Sequence, residues 1–517
     1  MICSAVPRWC TEKCSIQPFK VLIHKRELGV IWPWDILNHL WTSGKFLQWI
    51  YDPPEEAEDR CKEFWQRSSS QPFFQDLELR GRTDRLVPLA WHMDGIKVYR
   101  THKAWAYSCS SQTRKGPSLH TKLLLLLIRD GDCEKPWTHD CIGDLIGYIM
   151  TVLMTGRFPL KAHTGEDFAS GTVERARAGK FFAGGWRCAF SAFKADLEAR
   201  VMVHKLVRNW SSDSICEHCL ASKYENFTFG DFTNDAKYLQ YLLTHEQFVE
   251  LNPEDRQSRW LHVKGWRKER NLEDMLHMVH QGVGAIAVAS LVTDHFEENN
   301  PGLTLGDLNR HLATEAWQHY KEWKMDKQKV VVPTSSSFTA QRFGRDSWRD
   351  WPELQSCYKG AQVKYLLFWC AQFLKEKVHE RDTEGNRLRA ACAFSLYQFQ
   401  YEQETAGAWL TRAEATSMQC AGRSFLLFYQ KLASKARAAF NAEVRGSKRQ
   451  YKVVPKHHSL MHACLSLTET LRNPRFDHLY MDEDFMKQVA RIASRTHANT
   501  MDHVTLLHYR ALHELCM

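Results

Sequence analysis

The chain has 517 residues, a formal net charge of +9 at pH 7 and 16 cysteines, which excludes a peptide or a tail and leaves room for two or three domains, or for one core split by a large insertion. Scattered cysteines and the lack of an apolar core in residues 1–9 read as reduced thiols, an intracellular setting and no secretory signal. The longest apolar runs, 122–128 and 284–292, fall short of the roughly 20 residues that a membrane span needs, and the mild basic excess permits nucleic acid as a partner without requiring it.

Residues 1–84 mix short helical patterns with breaks at "DPPEE" and "RSSSQPF" and read as an irregular helical leader. Cys3, Cys10, Cys14 and His24 are spaced too irregularly for a zinc finger. From residue 85 the period changes. "RLVPLAWHMDGIKVYR", "AWAYSCSS" and "TKLLLLLIRD" predict three successive strands. Residues 136–156 predict a helix opened by Thr138 or Asp140 and stopped by Gly156, and 184–206 a strand that runs into a helix near Asp196. A β-β-β-α-β-α order predicts an α/β core, a mixed sheet flanked by helices, beginning over 85–215. The stretch from about 235 to 450 reads as almost wholly helical, with one loop-like break at 330–344, so an all-α insertion is expected over 216–456. The core returns over 457–517 with a last helix from Glu483. The 19 tryptophans lie throughout the chain and suggest packing more than base stacking. Trp260 and Trp266, in the basic stretch "WLHVKGWRKER", read either as core or as a platform for a flipped base.

Asp94 ends the first core strand before Gly95, Asp196 stands at the end of the fourth, and Glu483 opens a helix with Met486, Val489 and Ile492 on one face. Three carboxylates brought to one place would hold two Mg²⁺ for phosphoryl transfer; taken singly, acids at strand ends and helix starts are commonly capping residues. "SICEHCLASK" sets Cys216 and Cys219 in a C-x₂-C turn, and "PKHHSLMH" sets His457 and His462 five apart. Two thiolates and two imidazoles suit one structural Zn²⁺, which would pin the start of the insertion to its end.

That order of Asp, C-x₂-C, helical insertion, H-x₄-H and Glu resembles the RNase H-like DDE/D transposases with an all-α insertion domain: the CACTA, Kyakuja-Dileera-Zisupton, Transib and hAT groups, and the related catalytic core of the V(D)J recombinase. Within the resemblance, "MDG" at 93–95 is similar to the first-acid strand. "KADLEA" at 194–199 is similar to the second-acid context, with alanine in place of the usual glycine, and "YMDED" to the final-glutamate tract. Glu483 aligns there, with Asp482 and Asp484 as alternates. "EDMLH" at 273–277 is similar to the insertion's [C/D]-x₂-H element and carries over as Asp274 and His277. The resemblance runs through short motifs over about 85–500 and favours the CACTA or Kyakuja-Dileera-Zisupton groups. The separate DNA-binding module such proteins usually carry has no counterpart in residues 1–80.

The resemblance implies a nuclear transposase, a nuclease and strand transferase that acts as a homo-oligomer on double-stranded DNA at transposon ends and target. Two catalytic Mg²⁺ (or Mn²⁺) would lie at Asp94, Asp196 and Glu483, and one structural Zn²⁺ at Cys216, Cys219, His457 and His462. Two alternatives stay open: a domesticated, inactive DNA-binding scaffold, and a host nuclease of the RNase H superfamily. The basic segment 431–456, with Lys448, Arg449 and Lys452, reads as a phosphate-binding surface or as a solvated face.

Overall fold

A computed structural model describes residues 14–69, 83–99, 102–114, 116–135, 137–252, 257–325, 337–442 and 448–516. They form two compact units, one from Met1–Val207, His245–Leu272 and Leu479–Met517, the other from Arg208–Thr244 and Glu273–His478.

The first unit is built on a six-stranded mixed sheet of β1 (Phe19–Ile23), β2 (Arg26–Val30), β3 (Leu86–Val98), β4 (His102–Ser111), β5 (Lys122–Arg129) and β6 (Arg187–Lys194), in the order β1-β2-β5-β4-β3-β6. β3, β4 and β5 are an antiparallel meander, and β6 returns parallel to β3. In β5 every residue from Lys122 to Ile128 is buried, the pattern of a strand covered on both faces. Helix Trp137–Thr155 supplies the crossover from β5 to β6. Side chains alternate between the two faces of a strand. Trp91 accordingly meets Met150 of that helix, whereas its neighbour His92 faces Asp482 of helix Tyr480–Ala493. The helix buries Phe485, Met486, Val489 and Ile492.

Three expected boundaries change. The leader is not all helix. Its helices Pro33–Thr42, Phe46–Ile50 and Ala57–Ser69 are preceded by the β1–β2 hairpin, closed by His24 and Lys25 with His24 at φ 56° and joined to β5 at Val30↔Leu126. Cys3 and Cys10 lie outside the described residues, Cys14 is buried, and His24 pairs with Glu134 at 2.7 Å. The insertion is not continuous, because 245–272 packs with the sheet. Trp260 sits fully buried against Phe193, Tyr107 and Trp91, and Trp266 is 3% exposed, so both tryptophans are core. The return begins at Leu479 rather than 457.

The second unit is helical around Gly284–Asn299, whose residues 284–297 are all buried. Helices Gly360–Glu380, Glu384–Thr405, Arg412–Asn441 and Pro455–Thr470 complete it. Residues 330–336 of the expected loop lie outside the described residues. With the preceding π-helical turn the central helix spans 24 residues, Leu276–Asn299, long and apolar enough to cross a membrane. The apolar run at 284–292 understated it. Within this fold 89% of its apolar window is buried, as in a core helix. Its charges are paired inside the unit: Asp294 accepts from Arg389 at 2.7 Å and Tyr451 at 2.8 Å, and Glu297 from Arg345 at 3.0 Å.

Candidate metal centre and the acidic positions of the sheet

In the helical unit the C-x₂-C turn and helix Pro455–Thr470 bring together Cys216, Cys219, His458 and His462, whose ligand atoms all lie within 4.8 Å of one another. Cys219 Sγ is 3.2 Å from His458 Nε2 and 3.3 Å from His462 Nε2, and the two Nε2 atoms are 3.1 Å apart. Zinc bond lengths of about 2.0–2.3 Å imply tetrahedral edges of roughly 3.3–3.8 Å, so the donor set suits Zn²⁺ and the three separations lie at or just below the short end of that range. The turn is braced for it. Arg208 donates to the carbonyls of Cys216 and Cys219, both at 2.8 Å, and the His218 and Ala221 amides donate to the two sulfurs at 3.2 and 3.4 Å. Burial raises the Cys216 thiol, against the pull of the imidazoles, and lowers His458, against the pull of Cys216.

The histidine in the fourth position is His458, not His457. Helical residues advance by about 100° each, so four positions return to nearly the same face and five do not. His457 turns into the core between Phe232 and Tyr429, and its Nδ1 accepts from the Val454 amide at 3.2 Å. Burial holds it at about 3, neutral and structural. "HHSLMH" contains both spacings, and helix phase is the signal that selects His458.

Asp274 and His277 do meet, Oδ2 to Nδ1 at 2.5 Å. Asp274 also accepts from the amides of Leu276 and His277 at 2.9 and 3.1 Å, which makes it a carboxylate cap on the turn leading into the central helix. Lys448 Nζ lies 4.1 Å over the Trp348 ring and the Arg449 guanidinium 5.6 Å over Trp351. Lys452 is half-buried. Lys435 pairs with Glu384 at 2.7 Å, and Arg445 lies outside the described residues.

In the sheet unit, β3 and β6 stay in parallel register as far as His92↔Lys194, and Asp94 and Asp196 stand two residues beyond that pair on each strand. Asp94 does not end its strand, which continues to Val98 paired with β4; it marks where the parallel partner stops. Gly95 serves no turn here; it leaves room for the Lys103 side chain, whose Cε would lie 2.0 Å from a Cβ at this position and would have to shift. Asp94 Oδ1 accepts from the Gly95 amide at 2.7 Å, and Asp196 caps helix Leu197–His204 through the Ala199 amide at 2.7 Å. Glu483 is half-buried, 3.5 Å from Lys487. These three carboxylates do not form a group within 4.8 Å.

The acid buried against the sheet is Asp482. Lys122 donates to it, Lys194 lies at 3.3 Å and His92 at 4.0 Å. Burial alone would raise its carboxyl, but Lys122 and Lys194, then His92, hold it well below the usual carboxylate range. Asp484 accepts from Ser118 at 2.5 Å. Sequence reading missed this cluster, whose members are separated by up to 390 positions, from His92 to Asp482, and share no motif. No protein-family model matches the chain, and no curated protein matches it.

Proposed function

We propose that the chain is a DDE/D transposase core, with an RNase H-like sheet unit as its catalytic part and the helical unit as its zinc-clamped insertion. One observation carries the reading. Asp482, next in sequence to Glu483, contacts His92 and Lys194, the register pair lying two residues before Asp94 and Asp196. Residues two apart on a strand share a face, so the helix bearing Glu483 is pinned to the face of β3 that carries Asp94. The β-β-β-α-β-α order is the one the resemblance implies.

Asp94, Asp196 and Glu483 offer the hard oxygen donors that suit Mg²⁺. A bound pair of such ions supplies an activated water and stabilises the leaving oxygen of a phosphodiester. The chain's own part is placement. The Asp482 cluster fixes the helix, Asp196 ties the second acid to a helix start, and the Lys103 side chain, laid over Trp105 at 3.9 Å and paired with Glu198 at 3.2 Å, covers Gly95 beside the first acid. Cys216, Cys219, His458 and His462 would hold structural zinc with no open position. Double-stranded DNA is the substrate and the nucleus the setting of this reading, with the chain acting as a homo-oligomer.

The test is incubation of the purified chain with DNA carrying its flanking genomic ends and Mg²⁺, read on strand-resolved gels. Cleavage followed by joining of the freed 3′ end, both lost in Asp94→Asn, is expected. Cleavage without joining favours the host nuclease, and no cleavage with zinc intact favours the inactive scaffold.

A further inference from the structure

We propose a second metal site in the helical unit, formed by Glu217, His218 and Glu273. It would take a divalent first-row transition ion, Mn²⁺ or Zn²⁺, on one imidazole nitrogen and two carboxylates. The inference stands apart from the transposase reading. Glu217 and His218 are the two residues between Cys216 and Cys219, so one short turn serves the thiolate centre through its ends and this site through its middle. The ligand atoms of the three residues all lie within 4.8 Å of one another. His218 Nε2 is 3.0 Å from Glu273 Oε1 and 3.6 Å from Glu217 Oε1. Both carboxylates therefore converge on the same ring nitrogen.

A ring N–H donates well to one acceptor along its own axis, and at 3.0 Å that acceptor is Glu273. A cation placed between the three side chains would be met by the ring nitrogen and both carboxylates at once. Metal–nitrogen and metal–oxygen bonds of about 2.0–2.2 Å place neighbouring ligands roughly 2.8–3.6 Å apart between octahedral and tetrahedral geometry, a range that spans the measured 3.0 and 3.6 Å. Burial adds to the case, for the side chains of Glu217, His218 and Glu273 are 5%, 19% and 17% exposed, so all three donors are largely held away from bulk water. The donor set selects the ion. Imidazole argues against Mg²⁺ and Ca²⁺, and the lack of sulfur separates the site from its neighbour. Three protein ligands leave coordination positions for water or a substrate oxygen, on the side where His218 and Glu273 keep their exposure. The His218 ring lies 5.2 Å from that of His462, so the two centres are adjacent.

The experiment is a Mn²⁺ titration followed by electron paramagnetic resonance on the full, zinc-loaded chain carrying Asp94→Asn, which removes the proposed acids of the sheet as a competing site. One Mn²⁺ per chain is expected. Glu273→Gln and His218→Asn should each weaken it by more than the roughly 10–100-fold that loss of an outer-sphere partner costs, while one tightly held zinc is retained. Binding unchanged in both variants, or no saturable Mn²⁺ at all, overturns the site. X-ray absorption at the manganese edge of the Mn²⁺-loaded chain, neither residue altered, gives a reading independent of how those variants fold. A nitrogen–oxygen shell with imidazole scattering supports the assignment, and sulfur in that shell overturns it.

Discussion

The two units hold the side chains proposed to ligate metal in opposite ways. In the helical unit Cys216, Cys219, His458 and His462 are drawn together within 4.8 Å, whereas in the sheet unit Asp94 and Asp196 each stand two residues past the His92↔Lys194 pair, Glu483 lies on a helix, and the three do not close to that distance. The difference is one of charge. Neutral thiols and imidazoles hydrogen-bond to each other and pack as core residues do, whereas carboxylates at that spacing repel unless a cation or a proton-bearing group stands between them, as the His218 ring stands beside Glu217 and Glu273. The buried carboxylate of the sheet unit, Asp482, is balanced by two lysines and a histidine. The helical unit thus presents a gathered set of four donors, and the sheet unit an anchored helix at Asp482 beside the acids proposed for its site.

The largest expected effect breaks the clamp. Binding at a structural zinc site is coupled to folding and is worth about 10–16 kcal/mol in small zinc domains. His458→Ala or Cys219→Ser should therefore lower zinc content from one per chain to none and the melting temperature by about 10 °C or more. His457→Phe should keep the zinc. Zinc lost in His457→Phe and kept in His458→Ala, measured by elemental analysis, would return the ligand to position 457.

The next effect separates anchor from site. Asp482→Asn leaves Lys122 and Lys194 buried without their carboxylate, and breaking such a pair costs about 3–5 kcal/mol. Asp94→Asn, at a half-buried position, should cost under about 1 kcal/mol and act on cleavage alone. Denaturant unfolding of the two variants side by side measures the contrast. Equal destabilisation would remove the distinction between an anchoring and a metal-binding acid.

Acid sharpens the comparison by a smaller amount. Burial pushes His204 of the sheet unit to about 3 and His280 of the helical unit to about 4. Each is neutral when folded, and the unfolded chain takes up its proton first, below an ordinary value near 6.5. The stability each contributes is complete above pH 6.5 and falls as pH drops toward those lowered values, by up to about 1.4 kcal/mol per pH unit for each. His204→Phe should make the acid limb of a stability profile shallower. Zinc release, followed over the same range, should steepen only the loss that belongs to the helical unit, because its ligands must be deprotonated.

Much of this was legible in the sequence because it is local. The apolar runs of β3, β4 and β5, the turn of chain at Asp196 and the C-x₂-C spacing are each written in consecutive residues. What stayed hidden depends on contact or phase. His458 needed the helix register. The hairpin at 19–30 and the return of 245–272 are fixed by pairing with β5 and by burial of Trp260. The Asp482 cluster joins β3, β5, β6 and a helix hundreds of residues later, and no short window contains it.

The smallest effect tests the basic segment. Two of the three cations singled out in sequence are not alike, since Arg449 is exposed and Lys448 is half-buried over Trp348 with Nζ 3.5 Å from the Leu303 carbonyl. A cation that neutralises one phosphate contributes about 0.9 to the slope of log affinity against log salt. Arg449→Ala should therefore flatten the slope for nonspecific duplex DNA by about 0.9, whatever the sequence. Lys448→Ala should move it less and instead lower stability by about 0.5–1 kcal/mol, the worth of a cation–π contact. Slopes from titrations at four or five salt concentrations decide the matter. If Arg449→Ala leaves the slope untouched, the segment is a solvated face, and the DNA surface of the chain has to be sought elsewhere.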